Sequence, residues 1–223
     1  MRWSALGIFI IHLGVRLLFD GPQLWIDFIG YNLIALVACI ALFTSPRHND
    51  PLAIAFLVCA IASWTCGSVI SSFGQFYTLP SSTEYLANIS YVLFYPFALL
   101  VIPRILNKRK SLTVTEMLDA AIFGLGLTSI ATALIFSQVI SVGSGQSFFE
   151  LFYPICDLAL LITLAIASIT QILNRRFIFL ALGFFIYLLF DYLYLWNSFQ
   201  GSYTFGTVFD NGWLLGIILI CQS

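Results

Sequence analysis

Charged residues are scarce in this chain, and their scarcity excludes an ordinary water-soluble domain. Only 9% of the 223 residues are Asp, Glu, Lys or Arg, whereas 61% are hydrophobic. Soluble domains carry about 25% charged residues. The net charge of −1 also gives no basic excess of the kind that binds nucleic acid. The composition therefore predicts a protein whose main solvent is lipid.

Motifs of catalysis and metal binding are also lacking. The sequence contains no P-loop, no GxSxG, no HExxH and no cysteines or histidines at metal-ligand spacing. The five cysteines lie singly inside apolar runs, which is typical of small packing residues. We therefore expect no catalytic residue, no metal site and no cofactor within these residues.

Long apolar runs dominate what is present. A bilayer core needs roughly 20 apolar residues as helix, and continuous runs of this length favour helices over strands. We predict an all-α fold, a polytopic transmembrane bundle of about eight helices that forms a single integral membrane domain over residues 1–223. The predicted spans are 3–19, 24–45, 51–74, 85–106, 117–141, 147–172, 176–197 and 206–222.

The basic residues predict the orientation. Loops rich in Lys and Arg stay on the cytoplasmic side of a membrane, which places the loop 107–110 inside. Alternation of the spans then brings every Lys and Arg to that side except Arg16. We expect a multi-pass protein of the inner (plasma) membrane with both termini cytoplasmic. The short last run, which has no basic anchor, predicts either a chain cut off after Ser223 or a short final helix, and we favour the first.

A short motif recurs in the sequence. Leu93-Phe94-Tyr95-Pro96 reappears as Leu151-Phe152-Tyr153-Pro154, and one further period ends near Asn211. Repeated helical hairpins would explain the recurrence; chance in a sequence rich in apolar residues is the alternative. Each proline removes one helix hydrogen bond and favours a kink.

Polar side chains at helical spacing predict a pocket in the outer half of the bilayer, open to the outside. Ionisable groups at this depth are costly and usually face the interior of a bundle. The candidate lining residues are His12, Arg16, Asn88, Tyr91, Tyr95, Tyr153, Asp157, Tyr187, Asp191, Tyr194 and Trp213. The alternative is that these groups only tie helices together through hydrogen bonds.

The charges in this set do not balance. One arginine and two aspartates predict a buried pair of Arg16 with Asp157 or Asp191, plus one excess carboxylate. The excess acid is expected to be protonated, bound to tyrosines or paired with a cationic ligand. Four other acids, Asp27, Glu84, Glu150 and Asp210, are expected to be solvated at the outer interface.

Several short motifs follow one another in a fixed order over roughly residues 50–223. They are Glu84-Tyr85-Leu86, Phe94-Tyr95-Pro96, Tyr153-Pro154, Asp157–Leu161, Asp191–Tyr194, Gly201, Tyr203 and Asp210–Gly216. Together they resemble the multi-helix membrane region that precedes GGDEF and EAL domains in many bacterial, notably actinobacterial, cyclic-di-GMP signalling proteins. The resemblance implies a sensory input module whose helices pass a signal to a cytoplasmic output domain.

The chain departs from that pattern because it contains no GGDEF or EAL sequence. An output domain would therefore be joined in cis after Ser223 or act in trans, and the full-length protein could be a diguanylate cyclase or phosphodiesterase. The expected partners are the lipid bilayer, an extracytoplasmic or membrane-soluble ligand and a second copy of the chain. A small-solute or ion transporter is the first alternative to a sensor, and a structural membrane protein is the second.

Overall fold

The chain forms a bundle of helices in the computed structural model, which describes residues 3–44, 51–105, 122, 148–170 and 175–223. Within these ranges there are seven α-helices and no strand, so the all-α prediction is confirmed for this part of the chain. The helices are Ser4–Arg16 (α1), Tyr31–Phe43 (α2), Pro51–Gly74 (α3), Ser81–Ile105 (α4), Phe148–Thr170 (α5), Arg175–Phe199 (α6) and Asn211–Cys221 (α7). A π-helical turn, Leu24–Gly30, leads into α2, and a 3-10 turn, Val208–Asp210, leads into α7.

The helices follow the apolar runs of the sequence to within a few residues. Four stretches are long and apolar enough to cross a membrane, namely Leu24–Phe43, Pro51–Gly74, Ser81–Ile102 and Arg175–Phe199. The apolar helices Ser4–Arg16, Ile155–Ser168 and Val208–Cys221 are shorter. The predicted span 117–141 lies outside the described residues, so the count of eight stays a prediction.

One end of the bundle is built by turns that contain glycine and proline. Here α3 ends at Gly74, and α4 begins directly after Pro80. Between α6 and α7, Gly201 and Gly206 have φ angles of +66° and +76°, a conformation that costs glycine little. A Cβ on Gly206 would lie 2.9 Å from the Cα of Pro22, so this connection lies against the segment between α1 and α2. We call this end, with segments 17–23, 75–80 and 200–207, the pocket end.

Helix α7 lies in the middle of the bundle. It packs against α6, α2 and α1, and most of its side chains are buried. The closest approach is to α6, where a Cβ on Gly183 would lie 2.8 Å from the carbonyl oxygen of Gly216. Small residues allow two helix backbones to come this close, and α6 and α7 are thereby held together as a pair.

The half of the bundle away from the pocket end has an apolar interior. Its buried side chains belong to one continuous core and include Ala98, Val101, Ile102, Leu160, Leu164, Phe177 and Leu180. Large apolar side chains also cover much of the outer surface, for example Ile11 at 68% and Ile155 at 58% exposed. An exposed apolar surface of this kind suits contact with lipid better than contact with water.

The repeated motif brings its two tyrosines together. Helix α4 continues through Pro96, and α5 continues through Pro154. The rings of Tyr95 and Tyr153 lie 6.4 Å apart between these neighbouring helices. The two copies of the motif therefore contribute their tyrosines to the same site.

Candidate functional site

A cavity of about 520 Å³ lies at the pocket end, a volume that suits a small-molecule ligand. Its walls come from all seven described α-helices, from the π-helical turn and from the segments 75–80 and 203–207. Gln75, Pro80, Ser81 and Glu84 belong to its rim and are exposed. Nine of the eleven predicted residues line it: His12, Asn88, Tyr91, Tyr95, Tyr153, Tyr187, Asp191, Tyr194 and Trp213. Arg16 and Asp157 are buried beside it without lining it.

Arg16 pairs with Asp27, and the predicted pairing with Asp157 or Asp191 was wrong. Its Nη1 lies 3.0 Å from the Asp27 carboxylate, and its Nη2 donates to the carbonyl oxygens of Phe19 and Gly21 at 3.0 and 2.9 Å. Asp27 was expected to be solvated, yet it is only 5% exposed. The reason is local, because the π-helical turn after Gln23 turns Asp27 inward, next to the end of α1.

Asp157 and Asp191 are joined by one tyrosine. The hydroxyl oxygen of Tyr95 lies 2.7 Å from a carboxyl oxygen of Asp157 and 3.0 Å from one of Asp191. The other oxygen of Asp191 accepts a hydrogen bond of 2.6 Å from the indole Nε1 of Trp213. The chain Asp157–Tyr95–Asp191–Trp213 thus connects α5, α4, α6 and α7. Tyr95, Asp191 and Trp213 line the floor of the cavity, and Asp157 is buried behind them.

This arrangement requires a shared proton. A phenol has one O–H to donate, so Tyr95 can donate to only one of the two carboxyl groups. For the second contact also to be a hydrogen bond, the other carboxyl group must carry a proton and donate it to the phenol oxygen. The two acids and Tyr95 therefore hold at least two protons between them and carry at most one negative charge.

Further polar contacts fix the walls. The Tyr153 hydroxyl donates to the side-chain oxygen of Asn88 at 2.9 Å, which ties α5 to α4. The Ser68 hydroxyl donates to the side-chain oxygen of Asn32 at 2.8 Å, which ties α3 to α2. His12, at 8% exposure, is packed edge-on to Tyr31, with 6.4 Å between the ring centres. These bonds between helices shape the cavity before any ligand is present.

Asp210 also differs from the prediction, because it is buried at 7% exposure rather than solvated. Its carboxylate accepts hydrogen bonds from the backbone N–H of Gly206 at 2.8 Å and of Thr207 at 3.2 Å. The Tyr203 hydroxyl donates to it at 2.9 Å. Burial, and then the Asp210 carboxylate, raise the pKa of Tyr203 well above its ordinary value, so the phenol remains a donor. This cluster closes the segment 200–207 over the start of α7.

Glu84 is exposed on the cavity rim, as expected of a solvated acid. The side chain of Glu150 lies outside the described residues.

The lining residues that the sequence analysis does not identify include Tyr31, Trp64, Ser68 and Asn211. Trp64 lies 6.3 Å from Tyr91 and 6.3 Å from Tyr187 between ring centres. The helical spacing of Trp64 and Ser68 within an otherwise apolar run was the available signal. Across the described ranges, no group of three or more His, Cys, Asp or Glu is arranged to hold a metal ion.

Comparison with known proteins identified no relative of this chain. No family model, no curated protein and no solved structure matches this chain. The geometry of the cavity is therefore the basis on which a function is proposed.

Proposed function

We propose that this chain is a membrane-embedded sensory module of a bacterial signalling protein, with its ligand pocket open to the outside of the cell. The observation that carries the proposal is a cavity with an exposed rim and a closed floor. Gln75 and Glu84 at the rim are exposed, whereas Tyr95 at the floor and Asp157 behind it are almost fully buried. A site of this shape binds a ligand from one side and holds it among side chains of several helices.

The basic residues support the orientation. Arg175 and Arg176 are exposed at the start of α6, the end opposite the pocket, and the segments 17–23, 75–80 and 200–207 at the pocket end contain no Lys or Arg. Arg16 is near the pocket end, but its charge is compensated by Asp27. The positive-inside rule then puts the pocket end outside an inner membrane, with about eight spans and both termini in the cytoplasm.

The apolar core favours a sensor over a transporter. A transporter needs polar groups along a whole path, but the interior beyond Asp157 is filled by Ala98, Ile102, Leu160 and Leu164 within the described ranges. The cavity in turn distinguishes a sensor from a purely structural protein, in which side chains would fill this space. A one-sided pocket above a packed core is the arrangement that a receptor requires.

Helix α7 offers a route for the signal. Trp213, near its start, bonds to Asp191 of α6, and its last turn is buried at the other end of the bundle. A ligand that changes the position of Asp191 or Trp213 would therefore shift α7 against α6. The resemblance to input regions of cyclic-di-GMP proteins supports an output domain that reads this shift in cis or in trans.

A chimera tests the proposal. Residues 1–223 would be joined to a diguanylate cyclase domain and expressed in bacteria that make no cyclic-di-GMP of their own. We expect Asp191→Asn to change the cyclic-di-GMP level several-fold, whereas Asp20→Asn, at an exposed acid near the pocket end, leaves it unchanged. Equal levels in all three chimeras at equal membrane abundance would refute the sensory role. Solute uptake by vesicles that depends on Asp191 would favour the transporter instead.

A further inference from the structure

The charges on the cavity wall are of one sign. Its lining includes the carboxylates of Asp27, Glu84, Asp191 and Asp210, and no Lys or Arg is among the lining residues that the structure describes. Asp27 is compensated by Arg16, and Asp210 is held by two backbone N–H groups and Tyr203. Asp191 is therefore the deep carboxyl group for which the described residues provide no cation.

Within the described part of the chain, Asp191 accepts hydrogen bonds from neutral donors only. Trp213 donates to one carboxyl oxygen at 2.6 Å, and the Tyr95 hydroxyl lies 3.0 Å from the other. Neither donor carries a charge, so the described residues provide no cation for a negative charge that Asp191 shares with Asp157. A buried charge of this kind is usually paired with an opposite charge, and a bound cation would provide one.

Aromatic rings line the same cavity as Asp191. Trp64 packs with Tyr91 and Tyr187, and Tyr194 packs with Tyr203 and Trp213 at 4.7 and 5.6 Å between ring centres. The faces of tyrosine and tryptophan rings carry partial negative charge and attract cations within about 6 Å. Rings of this kind in the same cavity as a carboxylate favour an organic cation over a hydrated metal ion, for which oxygen ligands would be needed.

A second, independent group also calls for a donor. Asn211 lines the same cavity and is 4% exposed. Its Nδ2 donates to the carbonyl oxygen of Val208 at 3.3 Å, but its Oδ1 has no hydrogen-bond partner in the described part of the chain. Buried acceptors are rarely left unmatched. The His12 side chain lies close to Asn211, so the donor to this oxygen is either the His12 ring N–H or an N–H or O–H of a ligand.

We propose that the cavity binds a small organic ammonium ion, with the ammonium group at Asp191 and its carbon substituents against the rings of Trp64, Tyr91, Tyr194 and Trp213. This inference rests on the proposed function, because it names the class of ligand that the sensory pocket takes. A hydroxyl or N–H of the same molecule bonds to Asn211.

The test compares ammonium ions with neutral molecules of the same shape. The full chain would be placed in lipid nanodiscs, and binding measured by calorimetry and by tryptophan fluorescence. The probes are choline with its neutral carbon analogue 3,3-dimethylbutan-1-ol, and phenethylamine with 2-phenylethanol. We expect at least one ammonium ion to bind roughly ten-fold or more tightly than its neutral partner, because the ion alone is attracted by the Asp191 carboxylate and by the faces of the aromatic rings.

Two variants test the named residues. Asp191→Asn keeps the shape and should weaken ammonium binding by roughly ten- to hundred-fold, and Tyr194→Leu should weaken it by roughly two- to thirty-fold through the lost ring. Asp20→Asn is the matched control and should change nothing. Each variant must elute as a single species with the melting temperature of the parent before its affinity is compared.

The outcomes separate this inference from the sensory role. Neutral partners that bind as tightly as the ammonium ions, no ammonium binding up to millimolar concentration, or unchanged binding by Asp191→Asn would overturn the ligand class. Ammonium binding without any response of the chimera would uphold the ligand class and refute the sensory role. If the cyclic-di-GMP output of the chimera responded to a neutral or anionic compound and this response required Asp191, the sensory role would be upheld and the ligand class refuted.

Discussion

Arg16 and Asp27 form an ion pair of 3.0 Å in which both side chains are almost fully buried. The pair fastens the last turn of α1 to the π-helical turn before α2, and the Gln23 backbone N–H adds a bond of 2.6 Å to the same carboxylate. Because Arg16 pairs with Asp27, it does not neutralise Asp157 or Asp191. The carboxyl groups of these two residues form hydrogen bonds with Tyr95 and Trp213 instead. The location of one arginine thus determines the charge of the cavity floor.

The Arg16–Asp27 pair predicts that removing one of the two charges destabilises the protein more than removing both. Arg16→Leu leaves the Asp27 carboxylate buried and uncompensated, and we expect it to destabilise the protein by about 3–5 kcal/mol. The double variant Arg16→Leu, Asp27→Leu removes both charges and should recover much of that loss. Thermal unfolding in detergent measures both, with Arg176→Leu at an exposed arginine as the neutral control. A double variant less stable than Arg16→Leu would contradict this account.

The shared proton at Tyr95 predicts a spectroscopic signal. Infrared difference spectra should contain the C=O stretching band of a protonated carboxylic acid that disappears in Asp157→Asn or Asp191→Asn. Tyr95→Phe removes the group between the two acids, so the band should shift and stability fall by about 1–3 kcal/mol. Tyr77→Phe, at a half-exposed ring stacked on Phe73, serves as control. If Tyr95→Phe left the band in place, the shared proton would be refuted.

The close approach of α6 and α7 predicts that small residues are required between them. A Cβ on Gly183 would lie 2.7 Å from the backbone nitrogen of Ile220 and 2.8 Å from the Gly216 carbonyl oxygen. We expect Gly183→Ala to cost about 1–3 kcal/mol through overpacking, seen as a lower melting temperature. Gly7→Ala, on α1 with nothing within 4 Å of the added carbon, should be neutral. Equal effects of the two substitutions would argue against tight packing here.

The proposed orientation predicts which positions a membrane-impermeant maleimide reaches in intact cells. In a background without the five native cysteines, Ser81→Cys at the pocket end should be labelled from outside. Arg176→Cys at the opposite end should be labelled only after the membrane is opened. Both native side chains are exposed, so access depends on the side of the membrane. Labelling of Arg176→Cys in intact cells would reverse the topology.

Much of the helical structure and most of the candidate site follow from the sequence alone. Apolar runs of a given length predict helices because the backbone must satisfy its own hydrogen bonds in lipid. Side chains three or four residues apart share a face whatever the helix packs against, and this is why Asn88, Tyr91 and Tyr95 were grouped correctly. The same reasoning grouped Tyr187, Asp191 and Tyr194 on one face.

Only the tertiary structure decided which polar groups meet. Spacing along one helix does not determine the distance to another helix. The sequence therefore predicts a pair of Arg16 with Asp157 or Asp191, whereas in the structure the π-helical turn places Asp27 next to Arg16. Burial of Asp210 depends on a loop that returns over α7, and the ring of Trp64 reaches the cavity because α3 packs between α2 and α4. The sequence determines helices and their faces through local hydrogen bonding and periodicity; partners across helices are fixed by packing, which brings together residues far apart in the chain.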